Sequence, residues 1–337
     1  MMTYSFIGSD KNAGKTTALN HIYAKLVLEK REAICITSVG INGESVDFFD
    51  GKAKPKVTVF PGSLFISAVQ NLSEYTGMFS TLHQFSPPFF SKNYLLGKSK
   101  LEFELVIEGP NTAREISLVK KKLRELFPEA LLLIDGSADR QFLGRPEICD
   151  AFYFSLLFTK NMRQVNKARE LLLPLSFPVL SGKERERVLR HIHGGVKSLL
   201  VSKTGSLLYE GKTIPFMDNA LKKAFGKNRE KGKYLYLNGA LTKSLYSFFA
   251  GYENVKIVLD NFTLYQSIHS QPGVSFLPKI YLLNPLFVKE IFLKNETGRP
   301  ATLPFPENIP VQNLFEQKSE SATEQPITTK NLEQWPK

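Results

Sequence analysis

The sequence predicts an α/β fold, with a doubly wound parallel sheet in a first domain of residues 1–193 and a smaller α/β domain of residues 196–315. Short apolar runs of strand length alternate with longer stretches of helical periodicity, which is the order typical of parallel βαβ units. Several of these runs end in glycine, or in an acidic residue followed by glycine, as strands do at the ligand-binding edge of an open sheet. Residues 316–337 are mostly polar and are predicted to form a disordered tail.

The first predicted strand, residues 4–7, leads into a glycine-rich segment with the sequence G-S-D-K-N-A-G-K-T-T. Gly14 lets the backbone pass close to phosphate oxygens, and the amides that open the next helix point towards the anion. Lys15 reaches the β- and γ-phosphates, and the Thr16 hydroxyl is suited to Mg²⁺. The pattern predicts a P-loop NTPase domain that binds ATP, or GTP as the alternative, together with Mg²⁺. The predicted nucleotide-binding residues are Gly8, Ser9, Asp10, Lys11, Asn12, Ala13, Gly14, Lys15, Thr16 and Thr17.

This loop departs from the usual G-x-x-x-x-G-K-[ST] pattern at one position. Ser9 stands where the first glycine is expected, and Gly8 precedes it. The resulting pattern, G-x-D-x-x-x-G-K-T, resembles the loop of dethiobiotin synthetase and related P-loop proteins. Lys11 resembles, one position out of register, the additional lysine of partitioning and nitrogenase-type ATPases. That resemblance implies a homodimer in which Lys11 serves the neighbouring subunit.

The next predicted elements are a buried strand at residues 33–39 and, after it, a polar loop that carries Asp47. Carboxylates beyond a strand end lie where open α/β sheets gather their ligands, so Asp47 is a candidate metal ligand. Residues 57–60 are predicted to form a strand and residues 64–72 a short helix. The segment 77–100, which is rich in serine, phenylalanine and proline, receives no assignment.

Two later strands end in an acid followed by glycine: Glu108 follows the run 105–107, and Asp135 follows the run 131–134. In P-loop enzymes an acid at the end of a neighbouring strand holds Mg²⁺ or its water. The alternative is that the acid caps the following helix, which for Glu108 is predicted to extend to Phe127. Asp135 is predicted to orient a metal-bound water or the attacking nucleophile. The predicted metal ligands are Thr16, Asp47 and Glu108, and the predicted catalytic residues are Lys15 and Asp135.

The alternation of predicted strands and helices continues to the end of the first domain and resumes in the second. The first domain is predicted to end with a strand at 151–157, a helix at 161–172 and a strand at 177–180. The second domain has helical patterns at 219–225 and 242–249 and predicted strands at 198–201, 206–209, 234–237, 256–259 and 280–283.

Composition limits the classes of function. With 42% hydrophobic and 23% charged residues among 337, the chain has globular composition. No signal peptide or membrane span is recognised, and two cysteines are too few for a disulfide framework, so we expect a cytoplasmic protein without a membrane partner. The net charge of +12 suggests nucleic acid. However, the basic stretches 120–124 and 183–187 have helical patterns that indicate solvated faces, so we do not expect nucleic-acid binding.

Five short motifs extend the resemblance beyond the loop: T-S-V-G at 37–40, E-G-P at 108–110, I-D-G at 134–136, N-G-A-L-T at 238–242 and N-P at 284–285. Together they resemble the reactivase subunits associated with lysine aminomutase. The resemblance implies an accessory ATPase that acts with a MutS-like partner subunit on a cobalamin- and pyridoxal-phosphate-dependent aminomutase in lysine degradation. In this role the protein restores enzyme whose cofactor has been damaged.

Three other functions stay open. An ATP-dependent ligase of the dethiobiotin synthetase type fits the loop and Glu108, but such enzymes are near the length of the first domain alone. A DNA-partitioning ATPase fits the basic charge and Lys11. A nucleotide sensor without hydrolysis fits the serine at position 9. ATP is favoured over GTP because the N/T-K-x-D motif of many GTPases has no convincing copy.

Overall fold

The computed structural model describes residues 1–30, 33–42, 56–136, 141–213, 219–228, 232–249, 254–265, 279–285, 287–299, 301 and 303–314. The chain divides into two compact units. The first unit runs to Ala168 and resumes at Phe287, and the second is Arg169–Leu286. Asp47 and the predicted tail lie outside the described residues.

The strands, in chain order, are β1 (Met2–Gly8), β2 (Ile34–Ser38), β3 (Gly40–Asn42), β4 (Val57–Val59), β5 (Leu64–Ala68), β6 (Phe79–Phe85), β7 (Tyr94–Ser99), β8 (Phe103–Leu105), β9 (Ile107–Gly109), β10 (Leu131–Asp135), β11 (Ala151–Phe158), β12 (Ser198–Ser202), β13 (Leu207–Gly211), β14 (Gly232–Leu237), β15 (Lys256–Leu259), β16 (Ile280–Leu282), β17 (Phe287–Asn295) and β18 (Val311–Gln312). The α-helices are α1 (Lys15–Leu28), α2 (Ala113–Leu126), α3 (Met162–Leu172), α4 (Gly182–Leu189), α5 (Asn219–Lys227) and α6 (Lys243–Phe249).

The first unit is built on a nine-stranded sheet with the order β18-β17-β11-β1-β10-β2-β5-β7-β6. The strands from β18 to β5 are parallel to their neighbours, whereas β7 is antiparallel to both β5 and β6. The mostly parallel sheet agrees with the predicted fold class. The β6–β7 hairpin falls in the segment 77–100, which the sequence left unassigned.

The core of this unit explains why α1 and the parallel strands form. One side of α1 is buried, with Leu19, Ile22 and Tyr23 packed into the same apolar cluster as Phe6 of β1 and Leu133 of β10. A fully buried leucine or isoleucine side chain contributes about 2 kcal/mol. This packing fixes the start of α1 at the end of β1, where the glycine-rich loop joins them.

Three local predictions are wrong. The helix predicted at 64–72 is β5 followed by a short 3₁₀ turn, Val69–Asn71, because every residue of β5 is buried within the sheet. The strand predicted at 105–107 is divided between β8 and β9, which pair with β4 and β3 respectively. The strand predicted at 177–180 reduces to one bridge, between Val179 and Leu282.

The second unit contains a five-stranded sheet with the order β13-β12-β14-β15-β16. Strands β14, β15 and β16 are parallel, and β12 is antiparallel to both of its neighbours. The helices predicted near 219–225 and 242–249 are α5 and α6. This unit begins at Arg169 and ends at Leu286, before the predicted limit of 315, because β17 pairs with β11 in the sheet of the first unit. Among the described residues, no helix has the length and apolar character that a membrane crossing needs.

Candidate nucleotide site

The loop of residues 9–14 joins the carboxyl end of β1 to α1. Gly14 is the residue before the helix and has φ 86° and ψ 23°, a left-handed conformation that glycine adopts without steric cost. Because glycine has no side chain, Gly14 leaves the first amides of α1 without a side-chain cap. Uncapped amides at a helix start, together with the helix dipole, form a binding site for phosphate.

Ser9 takes part in the pairing of β1 with β11, although it follows β1 in the chain. Its N–H donates to Ser155 O at 2.9 Å, and its Oγ accepts from the Leu157 N–H at 3.0 Å. The side chain is buried. The serine that replaces the usual glycine therefore has a structural role, since its hydroxyl satisfies a buried amide of the neighbouring strand.

Gly8 gives space to the side chain of Lys15. A Cβ atom at position 8 would lie 2.8 Å from Lys15 Cγ and 3.0 Å from Lys15 Nζ. The Lys15 ammonium donates to the Asp10 carbonyl at 3.1 Å, so this side chain extends along the loop.

Thr16 and Asp135 meet directly. Thr16 Oγ1 donates to Asp135 Oδ2 at 2.8 Å, because Asp135 ends β10, the strand beside β1 in the sheet. Asp135 is buried, and its other oxygen, Oδ1, has no hydrogen-bond partner among the described residues. Burial raises the pKa of Asp135 to about 6, and the Thr16 hydroxyl and the charge of Lys15 oppose the rise.

These two residues fit Mg²⁺. A carboxylate and a hydroxyl are the hard oxygen ligands that Mg²⁺ prefers, and in nucleotide sites the ion takes its other ligands from phosphates and water. The unpartnered Oδ1 of Asp135 is an acceptor that a metal-bound water would satisfy. The described residues contain no group of three or more His, Cys, Asp or Glu that could hold a metal by themselves.

The glycines that follow the two acids are required by contacts between strands. A Cβ atom at Gly136 would lie 2.4 Å from Phe6 O, and the Gly136 N–H donates to the same oxygen at 3.0 Å. A Cβ atom at Gly109 would lie 1.9 Å from Ser38 O. In both places the backbone approaches a neighbouring strand too closely for any other residue.

Another predicted metal ligand, Glu108, lies in a separate cluster of polar side chains. Both of its carboxylate oxygens are bound: Oε1 by the Lys92 ammonium, and Oε2 by Gln70 Nε2 at 3.0 Å and Asn71 Nδ2 at 3.2 Å. Its backbone N–H donates to Ser67 Oγ at 3.1 Å. The structure thus brings Lys15, Thr16 and Asp135 together, while a metal role for Glu108 stays a prediction.

Two further lysines contact the loop and were missed in the sequence. Lys167 of α3 has its Nζ 3.6 Å from Asp10 Oδ1, and Lys294 of β17 donates to Asn12 O at 3.3 Å. No motif marks them: Lys167 lies on α3, which follows β11, and Lys294 comes near the loop because β17 pairs with β11. With Lys11 and Lys15 they make the surroundings of the loop electropositive, which favours an anionic ligand.

Comparisons with known proteins add little to this geometry. No family model and no curated protein matches the sequence. Among solved structures, the chain is similar to a ParA family ATPase from Chlorobium tepidum TLS, with 14% identity and a TM-score of 0.27. The matched part covers 51% of this chain and 66% of that one. A likeness this weak carries no argument about function.

Proposed function

We propose that this chain binds a nucleoside triphosphate with Mg²⁺ at the loop of residues 9–14 and hydrolyses it to the diphosphate and phosphate. The observation that carries the proposal is the contact of Thr16 Oγ1 with the buried Asp135 carboxylate at 2.8 Å, beside Lys15, with one carboxylate oxygen unpartnered among the described residues. A helix start, a lysine, a hydroxyl and an acid in this arrangement match the needs of a phosphate chain with its metal.

Each residue has a distinct role in this proposal. The amides at the start of α1 bind the phosphate oxygens, and the Lys15 ammonium leaves the Asp10 carbonyl for the β- and γ-phosphates. Thr16 and Asp135 would hold Mg²⁺, and the bound ion would supply positive charge near the phosphate oxygens. Asp135 Oδ1 orients a water molecule by accepting its hydrogen bond, and this water is bound to the metal or is the nucleophile.

We further propose that the nucleotide is ATP and that the protein is an accessory, reactivase-type subunit for a cobalamin-dependent amino-acid aminomutase, acting with a MutS-like partner. The resemblance of five motifs supports this assignment, and the three in the first unit pack together. Ser38 Oγ lies 2.8 Å from Ile107 O, Gly109 N–H donates to Ser38 Oγ at 3.1 Å, and Val39 N–H donates to Asp135 O at 2.8 Å.

The two motifs in the second unit also share one contact region. Asn238 follows β14 and Asn284 follows β16, so both lie at the carboxyl edge of three parallel strands. Asn284 Nδ2 donates to Asp260 Oδ1 at 3.1 Å, and Asp260 follows β15 between them. The motifs of the first unit therefore contact one another, and those of the second unit lie at the same edge of its parallel strands.

Nucleotide hydrolysis with Mg²⁺ tests the first part of the proposal. Lys15→Ala is expected to lower the hydrolysis rate about a hundredfold or more, because it removes a cation from the charge that develops on the phosphates. Lys25→Ala is the matched control, since it makes the same change in the same helix at an exposed position. Equal rates in the wild type and Lys15→Ala would refute hydrolysis at this loop.

Adding the partners tests the second part. Inactivated lysine aminomutase and the MutS-like protein are added, singly and together, to the chain with ATP. The reactivase role predicts faster hydrolysis and recovered aminomutase activity, both abolished by Lys15→Ala. Hydrolysis that depends on Lys15 but ignores the partners would leave nucleotide binding intact and refute the accessory role, favouring a ligase or a partitioning ATPase.

A further inference from the structure

The positive charge of the chain is concentrated in the second unit. Residues 169–286 contain 17 lysine and arginine residues and 8 aspartate and glutamate residues, which gives +9 of the total of +12. The first unit has 27 basic and 24 acidic residues and therefore carries the remaining +3. A unit of this size with such an excess of one sign attracts partners of the opposite charge.

Four lysines of this unit lie at one edge of its sheet, one at the end of each of four neighbouring strands. They are Lys203 directly after β12, Lys233 at the start of β14, Lys256 at the start of β15 and Lys279 directly before β16. These strand ends share an edge because β12 is antiparallel to β14, whereas β14, β15 and β16 are parallel. We call these four residues the lysine row.

Strand pairing fixes the register of the lysine row. Ser202 pairs with Gly232, so the end of β12 is level with the start of β14. Lys256 pairs with the third residue of β14, and the Ile257 N–H donates to Lys279 O at 3.1 Å. Because neighbouring strands lie about 4.8 Å apart, the backbone positions of the row span about 14 Å. The row could not be seen in the sequence, where its members are far apart.

The lysine row has an excess of positive charge. Lys203 and Lys279 are exposed and form no ion pair among the described residues. Lys233 and Lys256 share one carboxylate, that of Glu184 in α4, with Nζ–Oε distances of 3.4 Å and 2.7 Å. One carboxylate therefore offsets part of the charge of two ammonium groups and leaves the other two without a counter-charge in the described structure.

Two further cations flank the lysine row. Lys227 is exposed at the end of α5, and the carbonyl of the next residue, Asn228, accepts the Gly232 N–H at the start of β14 at 2.7 Å. A Cβ atom at Gly205 would lie 3.1 Å from Arg187 Cγ, so this arginine packs against the turn between β12 and β13. The edge therefore gathers six cations.

Charge spacing and the scarcity of apolar anchors favour a nucleic-acid backbone over a protein surface. Phosphates of one strand follow one another at about 3.4 Å along a duplex, so a row of about 14 Å faces about four of them. Protein interfaces are instead built around buried aromatic and aliphatic side chains. Among the described residues of the second unit, the exposed large apolar side chains are Val179 and Leu207, which are too few for such a core.

We propose that the lysine row, with Lys227 and Arg187 beside it, binds the phosphate backbone of nucleic acid. The ammonium and guanidinium groups replace the counterions of the phosphates, and the release of these counterions drives binding. Contacts with phosphates carry no base information, so the binding has no sequence preference. This surface belongs to the second unit and is independent of the nucleotide site proposed above.

Fluorescence anisotropy of a labelled duplex of mixed sequence, titrated with the full chain, tests this proposal. The titrations contain no nucleotide, so the result does not depend on the proposed hydrolysis. Binding is expected in the micromolar range at about 50 mM salt, and log K should fall with log salt concentration with a slope of about −4. No binding at tens of micromolar protein, or a slope near zero, would overturn the proposal.

Paired variants locate the binding. Lys203→Gln together with Lys279→Gln removes two exposed charges of the row, which should weaken binding about tenfold or more at about 100 mM salt and reduce the slope by about 2. Lys100→Gln together with Lys121→Gln is the control, because both are exposed lysines of the first unit without an ion pair among the described residues. Thermal unfolding checks that each variant is folded. Equal weakening by the two pairs would mean an effect of net charge alone and would refute the assignment to this edge.

Competition with poly-L-glutamate separates nucleic acid from an acidic protein partner. The duplex carries one charge per about 1.7 Å, whereas an extended polypeptide carries at most one per about 3.3 Å. At equal concentration of charged groups, poly-L-glutamate should therefore leave most of the duplex bound. Complete displacement of the duplex under these conditions would refute the nucleic-acid proposal and assign the lysine row to an acidic protein.

Discussion

Asp135 and Glu108 hold equivalent places in the sequence, each after an apolar strand and before a glycine, but their surroundings differ. Both oxygens of Glu108 are bound, by Lys92, Gln70 and Asn71. Asp135 accepts from Thr16 and keeps one buried oxygen unpartnered among the described residues. An acid followed by glycine therefore identifies a strand end in close contact with its neighbour. Whether the carboxylate of that acid is available to bind a metal ion or a water molecule depends on the groups around it.

The largest expected difference between the two acids is in catalysis. If the proposed site is correct, Asp135→Asn is expected to lower Mg²⁺-dependent hydrolysis about a hundredfold, because it removes the negative charge that would hold the metal. Glu108→Gln is expected to change the rate by no more than a few-fold, since the Glu108 carboxylate is already engaged. The measurement is the steady-state rate at saturating nucleotide over a series of Mg²⁺ concentrations.

The Mg²⁺ dependence gives this test its discriminating power. If Glu108→Gln needs far more Mg²⁺ to reach the wild-type rate, Glu108 binds the metal when nucleotide is present. The contrast between Glu108 and Asp135 that is based on their contacts would then be wrong, and the metal role predicted for Glu108 from the sequence would be correct. Glu125→Gln, an exposed acid on α2, controls for the change in net charge.

The second difference is in the pH dependence of stability. Burial raises the pKa of Asp135 from 3.8 to about 6 in the folded chain. Between these pH values the folded chain binds more protons than the unfolded chain, so the free energy of unfolding falls as pH rises from about 4 to about 6. A difference of about two pH units corresponds to roughly 3 kcal/mol.

Replacing Asp135 removes this titration. The free energy of unfolding, measured in urea without nucleotide, is expected to fall between pH 4.5 and 7 by roughly 2 kcal/mol less in Asp135→Asn than in the wild type. Glu108→Gln keeps Asp135 and should follow the wild-type slope. Parallel curves for the wild type and Asp135→Asn would mean that the buried carboxylate does not titrate in this range.

The sequence predicted four of the nine strands in the first sheet, β1, β2, β10 and β11, because strands of a parallel sheet are buried on both faces and read as continuous apolar runs. It failed at β5, where a short apolar run fits a strand or a helix equally well. It left the segment 77–100 unassigned and so missed both β6, whose residues are largely exposed, and β7, whose residues are largely buried. The return of β17 to the first sheet depends on its pairing with β11, a contact between distant residues that local patterns do not encode.

In the candidate site, too, local sequence patterns predicted some residues, and contacts between distant residues placed the others. The loop and Asp135 were predicted because each belongs to a short motif of adjacent residues in the sequence. Lys167 and Lys294 were missed because only the folded chain brings them to Asp10 and Asn12. The structural role of Ser9 was missed for the same reason, since its partner is the Leu157 amide of β11.

Substitutions of Ser9 are expected to have the smallest effect. They separate the contribution of Ser9 to the stability of the fold from the contribution of the loop to hydrolysis. Ser9→Gly restores the usual glycine of the motif, yet it is expected to lower the free energy of unfolding by about 1 to 2 kcal/mol. It removes the acceptor of a buried amide and adds backbone freedom to the unfolded chain. Ser9→Ala removes only the hydroxyl and does not add backbone freedom to the unfolded chain. It should therefore lower the free energy of unfolding by about 1 kcal/mol less than Ser9→Gly does. Because the hydroxyl faces β11, hydrolysis by Ser9→Ala should stay within about twofold of the wild type. Faster hydrolysis by Ser9→Gly would instead mean that the serine restrains the loop during phosphoryl transfer, and that its bond to Leu157 regulates the site rather than only supporting it.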